Sequence, residues 1–540
     1  MALRAWVQSR HGWARRGLAF AAGSFSVLAL PPFFVWPILF LTLPILVWLL
    51  DVDATSPPRR WIRHAPLIQA ASMGWWFGFG YFFFGLFWLG EAFLVEAATF
   101  AWLLPFAVTL MPAGLALFYG AATAVAAAIS RPGLERVIAL AVALGIAEWL
   151  RGHVLTGLPW NVLGYALTWP LPLMQGATLV GIYGLTLWAV VIFAAPLVLA
   201  EKQRRAGRNP WVPPLALALV PLGLLVAYGA ATLAVGNHEQ TGTRVRIVQP
   251  SVPQREKWQP QNQRAIFDLH LDLSRRNAAG EADNLDGIDL LVWPEAAMPF
   301  FPLEQPQALA DIRALLGDNK RLITGGLRRA PRSGEPESAR PAKFDFFNSL
   351  MIVGHQDQPI QVYDKIHLVP FGEYLPLQST LESIGLEQLT RLRGGFTPGP
   401  SPRPVLDGIG PLICYEAIFP GALIQGAERP KVFVNLTNDG WFGNTTGPRQ
   451  HLHQVRVRAA EEGIPIVRSA NNGISALIDA DGRIVADLGL NEKGVIDAVL
   501  PAAKPPSPYA RWGDWLFGVN LLIFGLWWLY LRSRPVPVVA

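Results

Sequence analysis

Eight apolar runs, each close to the ~20 residues needed to cross a bilayer, constrain this chain more than anything else in it. They cover about 15–31, 33–50, 66–89, 98–129, 134–151, 173–199, 212–235 and 512–531. Composition agrees: 52% of residues are hydrophobic and only 16% charged, against roughly 25% charged in a soluble domain. The run 98–129 is overlong and holds Pro105 and Pro112, so a kink or surface turn is expected there. Arg4, Arg10, Arg15 and Arg16 precede the first run, as in a signal peptide. No small-x-small cleavage site ends that run and another apolar run follows, so it reads as a span.

The net charge of +6 would ordinarily raise nucleic-acid binding. Here the excess sits in short loops and reads as a topology signal. Arg59, Arg60 and Arg63 follow the second run, Arg131 and Arg136 lie at the junction after the fourth, and Lys202, Arg204, Arg205 and Arg208 follow the sixth. Arg532 and Arg534 follow the last, and only Arg151, at the end of the fifth, breaks the pattern. Basic loops stay in the cytoplasm. The segment after the seventh run is then expected outside, in the periplasm of a bacterium, with the protein in the inner membrane. No nucleic-acid partner is expected.

Residues 242–500 have ordinary soluble composition and alternate short β-rich runs with helical stretches. Val245–Val248, Leu290–Trp293, Arg321–Thr324, Ser349–Val353, Gln361–Tyr363, Leu412–Cys414, Val432–Asn435, Ile464–Arg468 and Ser475–Asp479 read as strands. Ala265–Asn277, Ala308–Leu316 and His451–Glu462 read as helices. Such alternation argues for an α/β domain. The expected organisation is a seven-helix bundle over 1–241, this domain over 242–500, and a last helix with a short cytoplasmic tail over 501–540.

Cys414 is the single cysteine of the chain, at the end of an apolar run. A lone buried thiol is often only a small hydrophobe. It is also the best acyl nucleophile among common side chains. Glu295 and Lys365 likewise stand just after apolar strands, and in α/β domains strand C-termini gather at one edge, where sites form. In the fifth run, Glu148 and Arg151 share a helical face and can pair; they serve either as an interfacial ion pair or as intramembrane functional groups.

Trp293-Pro294-Glu295, Tyr363-Asp364-Lys365 and Cys414-Tyr415-Glu416 together resemble the Glu-Lys-Cys triad of the nitrilase superfamily. With the membrane spans, the resemblance narrows to the bacterial apolipoprotein N-acyltransferase family. It extends to Val248-Gln249-Pro250, Lys257-Trp258, Pro370-Phe371-Gly372-Glu373-Tyr374, Asn435 to Phe442, Val467 to Gly473, and Glu148 and Arg151 with Gly157-Leu158-Pro159-Trp160. The resemblance implies a polytopic helical bundle carrying an extracytoplasmic αββα sandwich. It implies transfer of a phospholipid acyl chain to Cys414 as a thioester, then to the N-terminal amine of an apolipoprotein's diacylglyceryl-cysteine. Glu295 is the expected general base, and Lys365 with the Tyr415 backbone N–H the expected oxyanion donors. Glu373 is expected to orient Lys365, and Glu416 to act at the site or as structural support. Gln249, Asn348, Trp441, Phe442 and Arg468 are expected near substrate. Trp258 either lines a lipid groove or packs the domain on the membrane. The apolar-tipped loops 375–398 and 440–448 are expected to overhang the site at the lipid surface. Partners are thus the phospholipid donor, the apolipoprotein acceptor and membrane lipid.

No cofactor motif is present. His451-x-His453 lies on an expected helix, where i and i+2 diverge, so no metal is expected. A membrane-anchored amidase, nitrilase or lipid hydrolase would share the triad, but tethering needs one span rather than eight. A transporter or receptor with a ligand-binding outer domain would need polar groups deep in several spans, and few are present. The topology is tested by reporter fusions at Gly207 and Gly334, which should give opposite signals; matching signals would refute it.

Overall fold

The computed structural model describes residues 2–51, 65–200, 212–235, 239–332, 344–354, 358–383, 385, 388–390 and 395–534. The basic stretches around Arg59 and Lys202 and residues 333–343 lie outside the described residues. Contacts divide the chain into two units. One comprises Met1–Trp88, Leu104–Gly236 and Pro506–Ala540; the other comprises Leu89–Leu103 and Asn237–Pro505.

The first unit is helical. Among the described residues, five helices are long and apolar enough to cross a membrane: Ala97–Ile129, Leu134–Thr156, Gly176–Leu197, Leu215–Val235 and Trp515–Ser533. The first three expected spans take other forms. Gly12–Ser26 has 15 residues, and Trp36–Leu50 is a shorter apolar helix. Ala65–Gly85 has 21 residues but carries Gly and aromatic residues where the others carry aliphatic ones. The break expected from the prolines lies ahead of Pro105: short turns over Ala97–Phe100 and Ala101–Leu103 precede a continuous helix Leu104–Ile129 that absorbs Pro112.

Glu148 and Arg151 do not form a direct ion pair in this unit. Each instead binds the irregular segment that follows their helix, where short 3₁₀ turns alternate with coil. Glu148 Oε1 accepts from Tyr119 Oη and from the Leu163 amide, both at 2.9 Å, and Oε2 accepts from Thr186 Oγ1 at 2.6 Å. Arg151 Nη1 donates to the carbonyls of Leu158 and Trp160, at 2.5 and 2.8 Å. Tyr81 donates to the Asn161 carbonyl at 3.0 Å. Irregular backbone inside a bundle must have its polar groups satisfied, and these side chains do that.

The second unit holds two sheets. The first contains β1 (Gln240–Gln249), β2 (Leu290–Val292), β3 (Arg321–Pro331), β4 (Phe344–Val353) and β5 (Gln361–Asp364). The second contains β6 (Ile409–Ile413), β7 (Val432–Thr437), β8 (Ile466–Ala470), β9 (Ser475–Ile478) and β10 (Ile484–Leu488). The last strand, β11 (Gly494–Pro501), returns to the first sheet. The strand orders are β11-β1-β2-β3-β4-β5 and β10-β9-β8-β7-β6. β1, β2 and β3 run parallel, as do β6, β7 and β8. Two antiparallel steps, β3 to β4 to β5, restore the direction of β2 in β5.

Three cores show the layering. Ile247, Val292, Ile323 and Ile352 of the first sheet meet Ile413, Val434, Leu436 and Val467 of the second, and Cys414 belongs to the same core. Phe267, Leu271, Ile312 and Leu316, from helices Gln263–Ser274 and Pro306–Leu316, cover the outer face of the first sheet. Leu452, Val455 and Ala459, from helix Gly447–Glu462, cover the outer face of the second. Helices on both outer faces explain why β6, β7 and β8 are buried along their whole length and read as unbroken apolar runs. The short helix Leu89–Leu94 packs on the turn Asp439–Phe442. There the Glu91 carboxylate fills the space that a Cβ at Gly443, itself at φ +59°, would need.

Candidate active site

The parallel strands bring the reactive residues to one edge, each in the first turn after its strand. Glu295 follows β2, Lys365 follows β5, Cys414 follows β6, and Thr437 ends β7. All are buried: Lys365 is 1% exposed, Glu295 8% and Cys414 9%. Two of the turns are strained. Cys414 sits at φ +49° and Ala296, after Glu295, at φ +45°, a region costing a non-glycine residue about 1–3 kcal/mol.

Lys365 Nζ lies 2.9 Å from Glu373 and 3.9 Å from Glu295 Oε1. Asn348, on β4, donates its amide to both carboxylates, at 2.7 Å to Glu295 Oε1 and 3.0 Å to Glu373 Oε1. The Val369 amide donates to Glu373 Oε2 at 2.8 Å. Four side chains, from two connections and strand β4, thus form one buried charged cluster. Burial opposes the Lys365 charge, but Glu373 and Glu295 outweigh it and hold the ammonium protonated well above its ordinary range. Burial raises Glu295, against the lowering effect of Lys365. Burial also pushes the Cys414 thiol up to about 12, with Glu295 adding to the rise and Lys365 opposing it. Burial thus favours the thiol over the thiolate at this sulfur.

A second network lies under Cys414. Its carbonyl accepts from Asn435 Nδ2 at 3.4 Å, and His451 Nε2 lies 3.3 Å from the same oxygen. The Thr437 side chain hydrogen-bonds the sulfur. Asp439 accepts from Thr437 at 3.1 Å and from Arg468 Nη2 at 2.6 Å, and His451 Nδ1 lies 2.9 Å from Asp439 Oδ1. Burial alone would raise Asp439, but Arg468 and His451 hold its carboxyl down, at about 2. Cys414, Asp439 and His451 offer ligand atoms within 4.8 Å of one another. A cation there would face the Arg468 guanidinium that already occupies Asp439.

The other expected site residues take varied places around these two networks. Gln249 is buried and bonds main chain only: its amide donates to the carbonyls of Gly489 and Glu492, and its oxygen accepts from the Ser475 amide. Arg468 is fully buried in the network beneath the cysteine. Asn348 bridges carboxylates. Glu416 is a structural hub, accepting from Tyr363 Oη (2.6 Å), the amides of Ile413, Ile366 and His367, and Arg403. Burial would raise its carboxyl, but Arg403 and these hydrogen bonds hold it low. Tyr415 is buried against the rings of His367 and Phe419. Trp441 and Phe442 are half-buried on the turn beside the cysteine network, and Trp258 is exposed. The sequence reading gave the histidines no role, whereas the structure sets His451 against the Cys414 carbonyl. Thr437, Asp439 and Lys257 stand inside the recognised motifs, but nothing in their spacing singles them out.

Residues 244–504 match the carbon-nitrogen hydrolase family, and residues 22–195 match the apolipoprotein N-acyltransferase N-terminal domain. Apolipoprotein N-acyltransferase of Rhodopseudomonas palustris is 45% identical, covering 97% of this chain and 96% of its own. Its counterparts from Bradyrhizobium diazoefficiens and Brucella melitensis are 46% and 41% identical, covering 93% and 95% of this chain and 92% and 94% of their own. The chain belongs to the apolipoprotein N-acyltransferase family. It is an enzyme of the acyl-transfer type, built on a carbon-nitrogen hydrolase domain.

Two substitutions separate geometry from stability. A Cβ at Gly325 would lie 2.5 Å from the Ala296 amide nitrogen and 2.6 Å from Glu295 Cα. Gly325→Ala should displace the Glu295 turn and lower acylation at least tenfold while the protein stays folded. Glu416→Ala should instead lower unfolding stability by about 3 kcal/mol, because it strands the buried Arg403; thermal unfolding in detergent checks both.

Proposed function

We propose that the protein transfers an acyl chain from a membrane phospholipid to the N-terminal amine of the diacylglyceryl-cysteine of apolipoproteins, in two half-reactions through Cys414. In the first, Glu295 takes the thiol proton as Sγ attacks the ester carbonyl. The oxyanion that develops is met by the Lys365 ammonium and the Tyr415 backbone N–H. The tetrahedral intermediate collapses, the C–O bond breaks, and Glu295 returns the proton to the departing lysophospholipid oxygen. In the second, the acceptor amine attacks the thioester, Glu295 takes its proton, and Cys414 leaves with that proton as the thiol. Glu373 and Asn348 hold Lys365 and Glu295 in place throughout.

The observation that carries this reading is the buried pairing of a permanently charged lysine with a carboxylate raised by burial, beside a thiol that needs a base. It supports general-base activation at the moment of attack over a standing thiolate. The eight apolar runs of the sequence and its Arg distribution support a setting of eight crossings in the bacterial inner membrane with the catalytic unit on the periplasmic side, and among the described residues five of those runs form helices long and apolar enough to cross. Trp441 and Phe442, half-buried on the turn beside the cysteine network, are the apolar groups we assign to keeping water from the thioester.

Purified protein mixed with acyl-labelled phospholipid and no acceptor should hold label on Cys414 that hydroxylamine removes. Cys414→Ala should hold none, and Glu295→Gln should load about 10²–10⁴-fold more slowly. Rapid hydrolysis of the wild-type thioester, with free fatty acid as the only product, would make the protein a lipid hydrolase instead.

A further inference from the structure

A second lysine touches the general base. Lys257 ends the one-turn helix Gln254–Lys257, directly before the exposed Trp258. Its side chain is 2% exposed, and its ammonium donates to the main-chain oxygen of Glu295 at 3.1 Å. Burial lowers Lys257 to about 8, with the Glu295 charge opposing the fall. A buried ammonium is costly unless opposite charge and hydrogen bonds compensate. Here the compensation comes from Glu295, through both its carbonyl and its charge.

The oxygen that Lys257 binds belongs to the Glu295–Ala296 peptide, the strained one, with Ala296 at φ +45°. Gly325 lies so close to the same peptide that no side chain fits there. The Glu295 carboxylate feels Lys365 and Lys257 as cations, Glu373 and a Cys414 thiolate as anions, and the Asn348 amide as a donor. Lys257 in turn feels Glu295, and its charge also acts on the buried His270. The base therefore stands between two cations carried by separate connections, one after β1 and one after β5.

We propose that Lys257 is a positioning residue for acylation: its ammonium ties down the strained Glu295–Ala296 peptide and supplies a second positive charge that keeps Glu295 as the carboxylate able to take the Cys414 proton. This rests on Glu295 being the base. The sign follows directly. Removing a neighbouring cation makes the carboxylate easier to protonate, so the acid limb of the rate profile moves to higher pH.

The test is single-turnover thioester formation on the full-length protein in detergent, with acyl-labelled phospholipid, as a function of pH. Lys257→Met should move the acid limb upward by about one unit and lower the plateau rate about tenfold, with the phospholipid concentration for half-maximal rate unchanged. Lys257→Arg keeps the charge and should leave the limb where the wild type has it. A wild-type limb in Lys257→Met overturns the inference and leaves Lys257 a packing residue. If the methionine variant does not fold, Lys257→Arg decides: a limb at the wild-type position supports the inference and a displaced one overturns it. Glu295→Gln, run alongside, separates the two readings. If it still acylates at the wild-type rate, the base assignment fails; if it is inactive while the Lys257→Met limb is unmoved, only the role of Lys257 fails.

Discussion

A lysine ammonium held almost completely out of water is the constraint around which the catalytic unit is built. Lys365 is tolerated there because Glu373 and Glu295 lie 2.9 and 3.9 Å away and Asn348 ties the two carboxylates together. Each group makes the burial of the others affordable, and removing one leaves a buried charge exposed to its full desolvation cost. The same burial makes the site useful. It raises the Glu295 carboxyl above its ordinary range, while the two carboxylates hold the Lys365 ammonium charged against that same burial.

The cysteine is held from the opposite direction. Its left-handed backbone would relax without an anchor, and that anchor is the carbonyl of Cys414, bonded by Asn435 and faced by His451. Those two residues are fixed by Arg468 and Asp439, so the strain at the nucleophile is carried by a buried network spanning β7, β8 and the helix behind them. Glu416, two residues on, fastens the same turn to the one carrying Lys365 through the amides of Ile366 and His367. The turns carrying Cys414 and Lys365 are thereby held together by a single buried carboxylate.

The helical unit solves a related problem with the same means. An irregular segment at 154–170, with two short 3₁₀ turns, brings carbonyls and amides into a bundle, and Glu148, Arg151 and Tyr81 satisfy some of them. Ionisable residues at membrane depth thus act here as fasteners for irregular backbone.

Much was determined by the sequence alone. Apolar runs gave the membrane class because length and composition suffice for that. Strand and helix periodicity gave the α/β domain, although the two last strands, β10 and β11, half-exposed and polar in part, carried too weak a pattern to be read. Glu295, Lys365 and Cys414 were legible because each ends an apolar strand inside a motif. The tertiary structure alone decided what the polar residues around them do. Gln249, Arg468, Asn348 and Glu416 look like substrate or site residues in a motif, since a motif marks which residues matter without saying whom they face. Only the packing of two sheets turns Arg468 inward to Asp439, sets His451 under a carbonyl it is remote from in sequence, and brings Lys257 from the first connection against the backbone of Glu295. Such partners come together through sheet order and burial, which have no period along the chain.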